Sequence, residues 1–155
     1  TNPPPVRHNR TNNKWPCFQM ALMALFWVGV NNQPPRENLH TFRSIDEGYT
    51  AVDRILDCEA DPAGEPVVPM GDGVPLTSAQ KLCFENVQLD FYPNQDALQE
   101  SYQLLSDSQQ GKIHLVQGVN WMVVDFSQMA TGQPSTRNIE RLANELNGEY
   151  VVVGV

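Results

Sequence analysis

Sixteen consecutive uncharged residues, Trp15 to Val30 (WPCFQMALMALFWVGV), divide this chain more sharply than any other feature. Gln19 is the one strongly polar side chain among them. Asn31, Asn32, Pro34 and Pro35 then end the run abruptly, as residues that stop a helix do. As a helix the run would measure about 24 Å, against roughly 30 Å of bilayer hydrocarbon. That is short for a span and suits the apolar core of a signal sequence. Arg7, Arg10 and Lys14 precede it, and no basic residue follows until Arg36. Under the positive-inside rule the N-terminus is then cytoplasmic and the rest lies outside. Small residues are poorly spaced for cleavage near Val28-Gly29-Val30, so the segment reads as an uncleaved signal anchor. A helix apolar on all sides is also compatible with burial against protein, and that alternative stays open.

The flanks follow from composition. Residues 1–14 are rich in Pro and Asn, lack apolar periodicity and read as a disordered basic tail. Residues 31–43 read as a linker stiffened by Pro34-Pro35. Residues 44–155 form the body. All 18 acidic residues and seven of the ten basic ones fall in residues 31–155. Such a body repels phosphate backbones, which argues against nucleic acid as a partner.

Within the body, local signals mark the elements. Ser44-Ile45-Asp46-Glu47 is a capping box, in which Ser44 and Glu47 answer each other's backbone N–H groups. Ile45, Tyr49, Val52 and Leu56 then share one helix face, with Gly48 a weakness in the pattern. Asp57 to Ser78 is an acidic, Pro/Gly-rich stretch where Val67-Val68 alone suggests a short strand. Leu82 to Phe84 is a short apolar run. Val87, Leu89 and Phe91 alternate with polar residues at the period of a half-buried strand. Asn94 caps a second helix with Asp96 in its first turn and a stripe of Leu98, Tyr102 and Leu105. Ile113–Val116 and Trp121–Phe126 read as strands joined by a hairpin at Gln117-Gly118-Val119-Asn120. Ser135 or Thr136 opens a third helix, which carries Ile139, Leu142, Ala143 and Leu146. Asn147-Gly148 ends it with a left-handed cap, and Tyr150 to Val153 closes the chain as a strand. This order predicts an α+β fold: a mainly antiparallel sheet with helices on one face, in a ferredoxin-like arrangement.

Three cysteines stand in different settings. Cys17 lies in the apolar run. Cys58 and Cys83 flank regular elements, and a bond between them would close the Pro/Gly-rich stretch, a restraint of roughly 3 kcal/mol in the chain-entropy model. Two unpaired buried thiols are the alternative. A metal site has less support, because no C-x-x-C or ligand-spaced His accompanies them.

The layout resembles small secreted or lipid-anchored cell-envelope domains of high-GC Gram-positive bacteria. The resemblance rests on Cys58, Leu82-Cys83, the stretch from Phe91 to Leu105, Gly118-Val119-Asn120-Trp121 and Leu146-Asn147-Gly148, and covers about Asp46 to Val155. It implies a location and a fold more than an activity. The chain departs from the lipid-anchored pattern, since no cysteine follows the apolar run as a lipid attachment site would. A protein anchor is the consistent reading.

Candidate chemistry is sparse. Asp57, Glu59, Asp61, Gly64 and Glu65 gather hard oxygen ligands of the kind calcium takes, without EF-hand spacing; a solvated acidic loop is the plainer reading. His114 falls between Ile113 and Leu115 and should face away from the core they enter. Ser127 and Ser135 lack a G-x-S-x-G context. Met70-Gly71-Asp72-Gly73-Val74 is a turn rather than a phosphate loop. Asp90 and Asp125 stand at strand positions, and a cavity gathering them with His114 is what an acid–base site would require. No cofactor, catalytic residue or small-molecule substrate emerges. Trp121, Tyr102, Trp15, Phe26 and Trp27 are candidate interface anchors, since Trp and Tyr dominate binding hot spots, although core packing also suits Trp121.

The sequence thus points to a non-enzymatic accessory or binding subunit of a cell-envelope membrane complex. It would be held by residues 15–30 as a single-pass protein, with its C-terminal domain outside the cytoplasm and a protein partner. Two alternatives remain: a soluble structural or assembly protein of a virion or filament, with residues 15–30 buried in protein, and a small enzyme.

Overall fold

A computed structural model describes residues 39–155; the basic tail and the apolar run, with Trp15, Phe26 and Trp27, lie outside the described residues. The elements are α1 (Ile45–Leu56), β1 (Met70–Gly71), β2 (Val74–Pro75), β3 (Ala79–Phe84), β4 (Val87–Phe91), α2 (Gln95–Ser106), β5 (Ile113–Gln117), β6 (Trp121–Asp125), α3 (Ser127–Thr131), α4 (Glu140–Glu145) and β7 (Glu149–Val153). Among these, no helix is long and apolar enough to cross a membrane.

The caps form much as the residues dictate. Ser44 Oγ accepts from the Glu47 N–H at 3.1 Å, and Asn94 Oδ1 from Ala97 N–H at 2.9 Å. The other half of the Ser44 box is shifted by one residue: Glu47 accepts from the backbone N–H of Arg43 at 2.8 Å and from its guanidinium. That backbone bond, with the guanidinium behind it, holds the Glu47 carboxyl below its usual range. Gly48 weakens helix propensity for a packing reason. A Cβ there would lie 3.0 Å from the Phe42 ring and 3.2 Å from Leu89.

Five strands form one antiparallel sheet in the order β3-β4-β6-β5-β7, beside a separate two-stranded hairpin, β1-β2. The α+β class and antiparallel sheet match the sequence reading. The finer arrangement does not. β4 and β5 each run antiparallel to β6, so they are parallel to one another with β6 between them. By the same logic β6 and β7 are parallel with β5 between them. Both crossovers therefore step the same way across the sheet, from strands that point in opposite directions. Right-handed connections then place their helices on opposite faces. In a ferredoxin-like sheet the two crossovers step in opposite senses and share a face.

The core confirms that two-faced arrangement, which corrects the prediction of helices on one face. Val52 of α1 and Leu142 of α4 pack with Val87, Leu89, Val116, Trp121 and Val123. Leu98 of α2 packs on the other side with Leu115, Met122, Val124 and Phe126. Every residue of β6 is consequently buried.

Two further expectations change. Leu39 and Phe42 are buried, so residues 39–43 belong to the domain rather than to a linker. The His40 carbonyl accepts from Val119 N–H at 3.0 Å and from the Trp121 indole at 2.9 Å. Val67 is not part of a strand; Gln88 pairs with both of its backbone groups instead, each at 2.8 Å. Asn147 supplies the left-handed residue after α4, with φ 53°, while Gly148 N–H bonds to Ala143 O.

Cys58 and Cys83 are joined in a disulfide with Cα atoms 4.6 Å apart. Around it Cys58 N–H donates to Asp53 Oδ1 at 2.9 Å, and Glu59 N–H to Cys83 O at 2.9 Å. The bond clips the long loop to the edge strand β3.

Candidate functional site

Two polar clusters lie against the sheet, one on each face. On the α2 side, Asp90 is 2% exposed. Its Oδ1 accepts from Gln80 and Gln88, both at 2.9 Å, and Tyr92 approaches Oδ2 at 3.4 Å while bonding Ser101 at 2.7 Å. Burial pushes the Asp90 carboxyl up from 3.8 to about 6, against the opposing pull of those three donors. Burial, with the nearby Asp90 charge, also raises the Tyr92 phenol. Because Gln80 and Gln88 also hold the Val67 carbonyl, the cluster pins the long loop to the sheet. A cavity of about 230 Å³ lies over it, with Leu104, Leu105, Phe126 and Met129 in its wall. Gln80 and Gln88 each spend both amide N–H groups on Asp90 and the Val67 carbonyl, which is the behaviour of a structural network.

On the α4 side, β5 and β6 are registered so that His114 stands opposite Asp125. Tyr150 lies diagonally across β7 from His114, whose direct partner there is Val152. His114 Nδ1 is 2.8 Å from the Tyr150 hydroxyl, and Nε2 is 3.1 Å from Gln128 Oε1 of α3. Gln128 presents its amide oxygen to Nε2, and the Tyr150 hydroxyl, which can donate or accept, meets Nδ1. Both ring nitrogens are thus occupied. Burial chiefly, then the charges of Glu140 and Asp125, raises the Tyr150 phenol.

Asp125 is 1% exposed. Its Oδ1 accepts from Ser127 N–H at 2.8 Å, which fastens the start of α3. Its Oδ2 has no hydrogen-bond partner; Gln117 Oε1 is the other such buried side-chain atom among the described residues. Asp125, His114 and Tyr150 wall a cavity of about 140 Å³ together with residues 134, 135 and 137–140. A larger groove of about 550 Å³ adjoins it through Pro134, Ser135 and Arg137, and carries Glu59, Asp61 and Glu85 on its walls. The Arg137 guanidinium sits 3.8 Å over the Phe84 ring.

The structure therefore brings together two of the three groups an acid–base site would require. Asp90 is on the opposite face, since its β6 partner Met122 belongs to the α2-side core while Asp125 belongs to the other side. Glu59 and Asp61 of the acidic loop share the wide groove, yet among the described residues no three His, Cys, Asp or Glu side chains gather as a metal set would.

Trp121 is fully buried beside Phe42, at a ring-centroid distance of 5.2 Å, so it is a core residue and not an interface anchor. Tyr102 is half-buried against the α2-side core. Sequence reasoning missed Gln128, Tyr150 and Arg137. The available signal was β6 itself: Trp-Met-Val-Val is apolar at consecutive positions, as in a strand covered on both faces. That pattern places Asp125, at its end, under cover rather than in solvent.

No family model, curated protein or solved structure matches this chain.

Proposed function

We propose that this chain is a membrane-tethered accessory or binding subunit of a cell-envelope complex, non-enzymatic in its own right, with its domain outside the cytoplasm. The Cys58–Cys83 disulfide carries this reading, because such bonds persist in oxidising compartments and are rare in a reducing cytosol. The uncharged run at residues 15–30, with its preceding cations, supplies the tether and the orientation. The resemblance to secreted and lipid-anchored envelope domains points the same way. The non-enzymatic part draws on occupied groups: both body thiols are spent in the disulfide, both His114 ring nitrogens are hydrogen-bonded, and Asp90 is held by its neighbours.

Protease treatment of sealed, right-side-out cells tests the topology. The body should be digested while a cytoplasmic control survives. A body left whole while an exposed control is cut defeats the proposal. Alkaline washing of membranes should leave the chain in the pellet; its release would favour the soluble assembly reading.

A further inference from the structure

We propose that the cavity between β5, β6, β7 and the 134–140 segment binds a primary ammonium group, with Asp125 Oδ2 as its principal acceptor. The cavity and its carboxylate are the same in any compartment. A buried carboxylate oxygen without a donor is costly, and native structures rarely leave one unanswered without a reason. Asp125 is 1% exposed, its Oδ2 lacks a hydrogen-bond partner among the described residues, and it walls the cavity. The chain fastens Asp125 through Oδ1 alone and leaves the second oxygen for something else.

The surrounding groups specify what that something is. Tyr150, with its hydroxyl 2.8 Å from His114 Nδ1, keeps at least one oxygen lone pair for the cavity whichever of the two donates. Glu140 adds a second carboxylate to the wall. Three acceptors around one small space match the three N–H donors of an ammonium. An anion would meet two carboxylates. Arg137, the cation in the wall, is drawn over Phe84 and forms no ion pair among the described residues, leaving Asp125 unneutralised. The volume of about 140 Å³ holds roughly four or five waters' worth of liquid, enough for an ammonium on a short alkyl stem. Such a group is carried both by small free amines and by lysine side chains.

The test uses the full chain at pH 7 and constant ionic strength, with ethylammonium, an acetylated and amidated lysine, and tetramethylammonium as probes. Backbone amide shifts are followed by NMR. The two primary amines should give saturable shifts at Ser127, Gln128 and Tyr150, and tetramethylammonium, which has no N–H, should give none. Tighter binding of ethylammonium assigns the source as a small amine, and tighter binding of the lysine derivative assigns a protein partner. Asp125→Asn keeps the Oδ1 cap on Ser127 and should weaken binding at least about tenfold. Should that variant misfold, Tyr150→Phe, which keeps the ring, should weaken binding severalfold. No saturable shift with either amine, an equal response to tetramethylammonium, or undiminished binding in a folded Asp125→Asn or Tyr150→Phe variant overturns the proposal; a cavity that holds water alone gives the first of these.

Discussion

Asp90 and Gly118 show how single positions set the tolerance of this fold. The folded Asp90 carboxyl holds its proton up to about 6, whereas its ordinary value is 3.8. Between those values the native state binds more protons than the unfolded chain, so stability falls as pH rises from about 4 to about 6 and then levels. The drop is on the order of 3 kcal/mol if this group acts alone. Asp90→Asn keeps an acceptor for Gln80 and Gln88 and removes the buried charge. It should flatten that slope and be no less stable at pH 7, as urea titrations across the range would show. Gly118 is constrained by space. A Cβ there would overlap the Trp121 indole and lie 2.7 Å from the His40 carbonyl. Gly118→Ala should lower stability by about 2 kcal/mol, read from the urea midpoint, because neither the packed ring nor the backbone can yield freely.

Among the elements, those with their own chemistry were legible. Ser44 and Asn94 announce α1 and α2, and the alternation of Val87, Leu89 and Phe91 announces β4. Asn94→Ala should cost about 1 kcal/mol in thermal or urea unfolding, the usual worth of such a cap. What eluded the sequence depends on partners distant along the chain. α3 has five residues and no apolar stripe, and exists because Asp125 caps Ser127 and Gln128 reaches His114. The segment 39–43 has apolar residues at Leu39 and Phe42, but its role is visible only once Asn120 is known to bond both backbone groups of Phe42. The His114–Asp125 pair follows from strand register, which short apolar strands specify weakly until both faces are known. The faces in turn follow from strand order, and nothing in the local pattern fixes the position of β7 beside β5. The disulfide was legible as a candidate because it restrains the stretch that most needs restraint. Its reduction, or Cys58→Ser with Cys83→Ser, should cost roughly 3 kcal/mol in unfolding free energy.

For the molecule as a whole, one sheet shared by two cores means that neither core can open alone. Val123 serves the α1/α4 side and Val124 the α2 side, on adjacent residues of the same strand. Val123→Ala and Val124→Ala should therefore each shift a single cooperative transition, with native-state amide exchange in α1 and α2 governed by the same global opening. Two separable transitions would contradict this coupling. An open five-stranded sheet also has two margins, β3 and β7. Unpaired margins invite a neighbouring chain to add a strand. At β3 the Cys83 carbonyl is already taken by Glu59, a residue that the disulfide holds in place. Cutting the covalent clip frees that carbonyl, so the reduced domain gains a second adhesive border, and its sedimentation should show stronger concentration-dependent self-association than the oxidised domain, whose β7 margin alone is open.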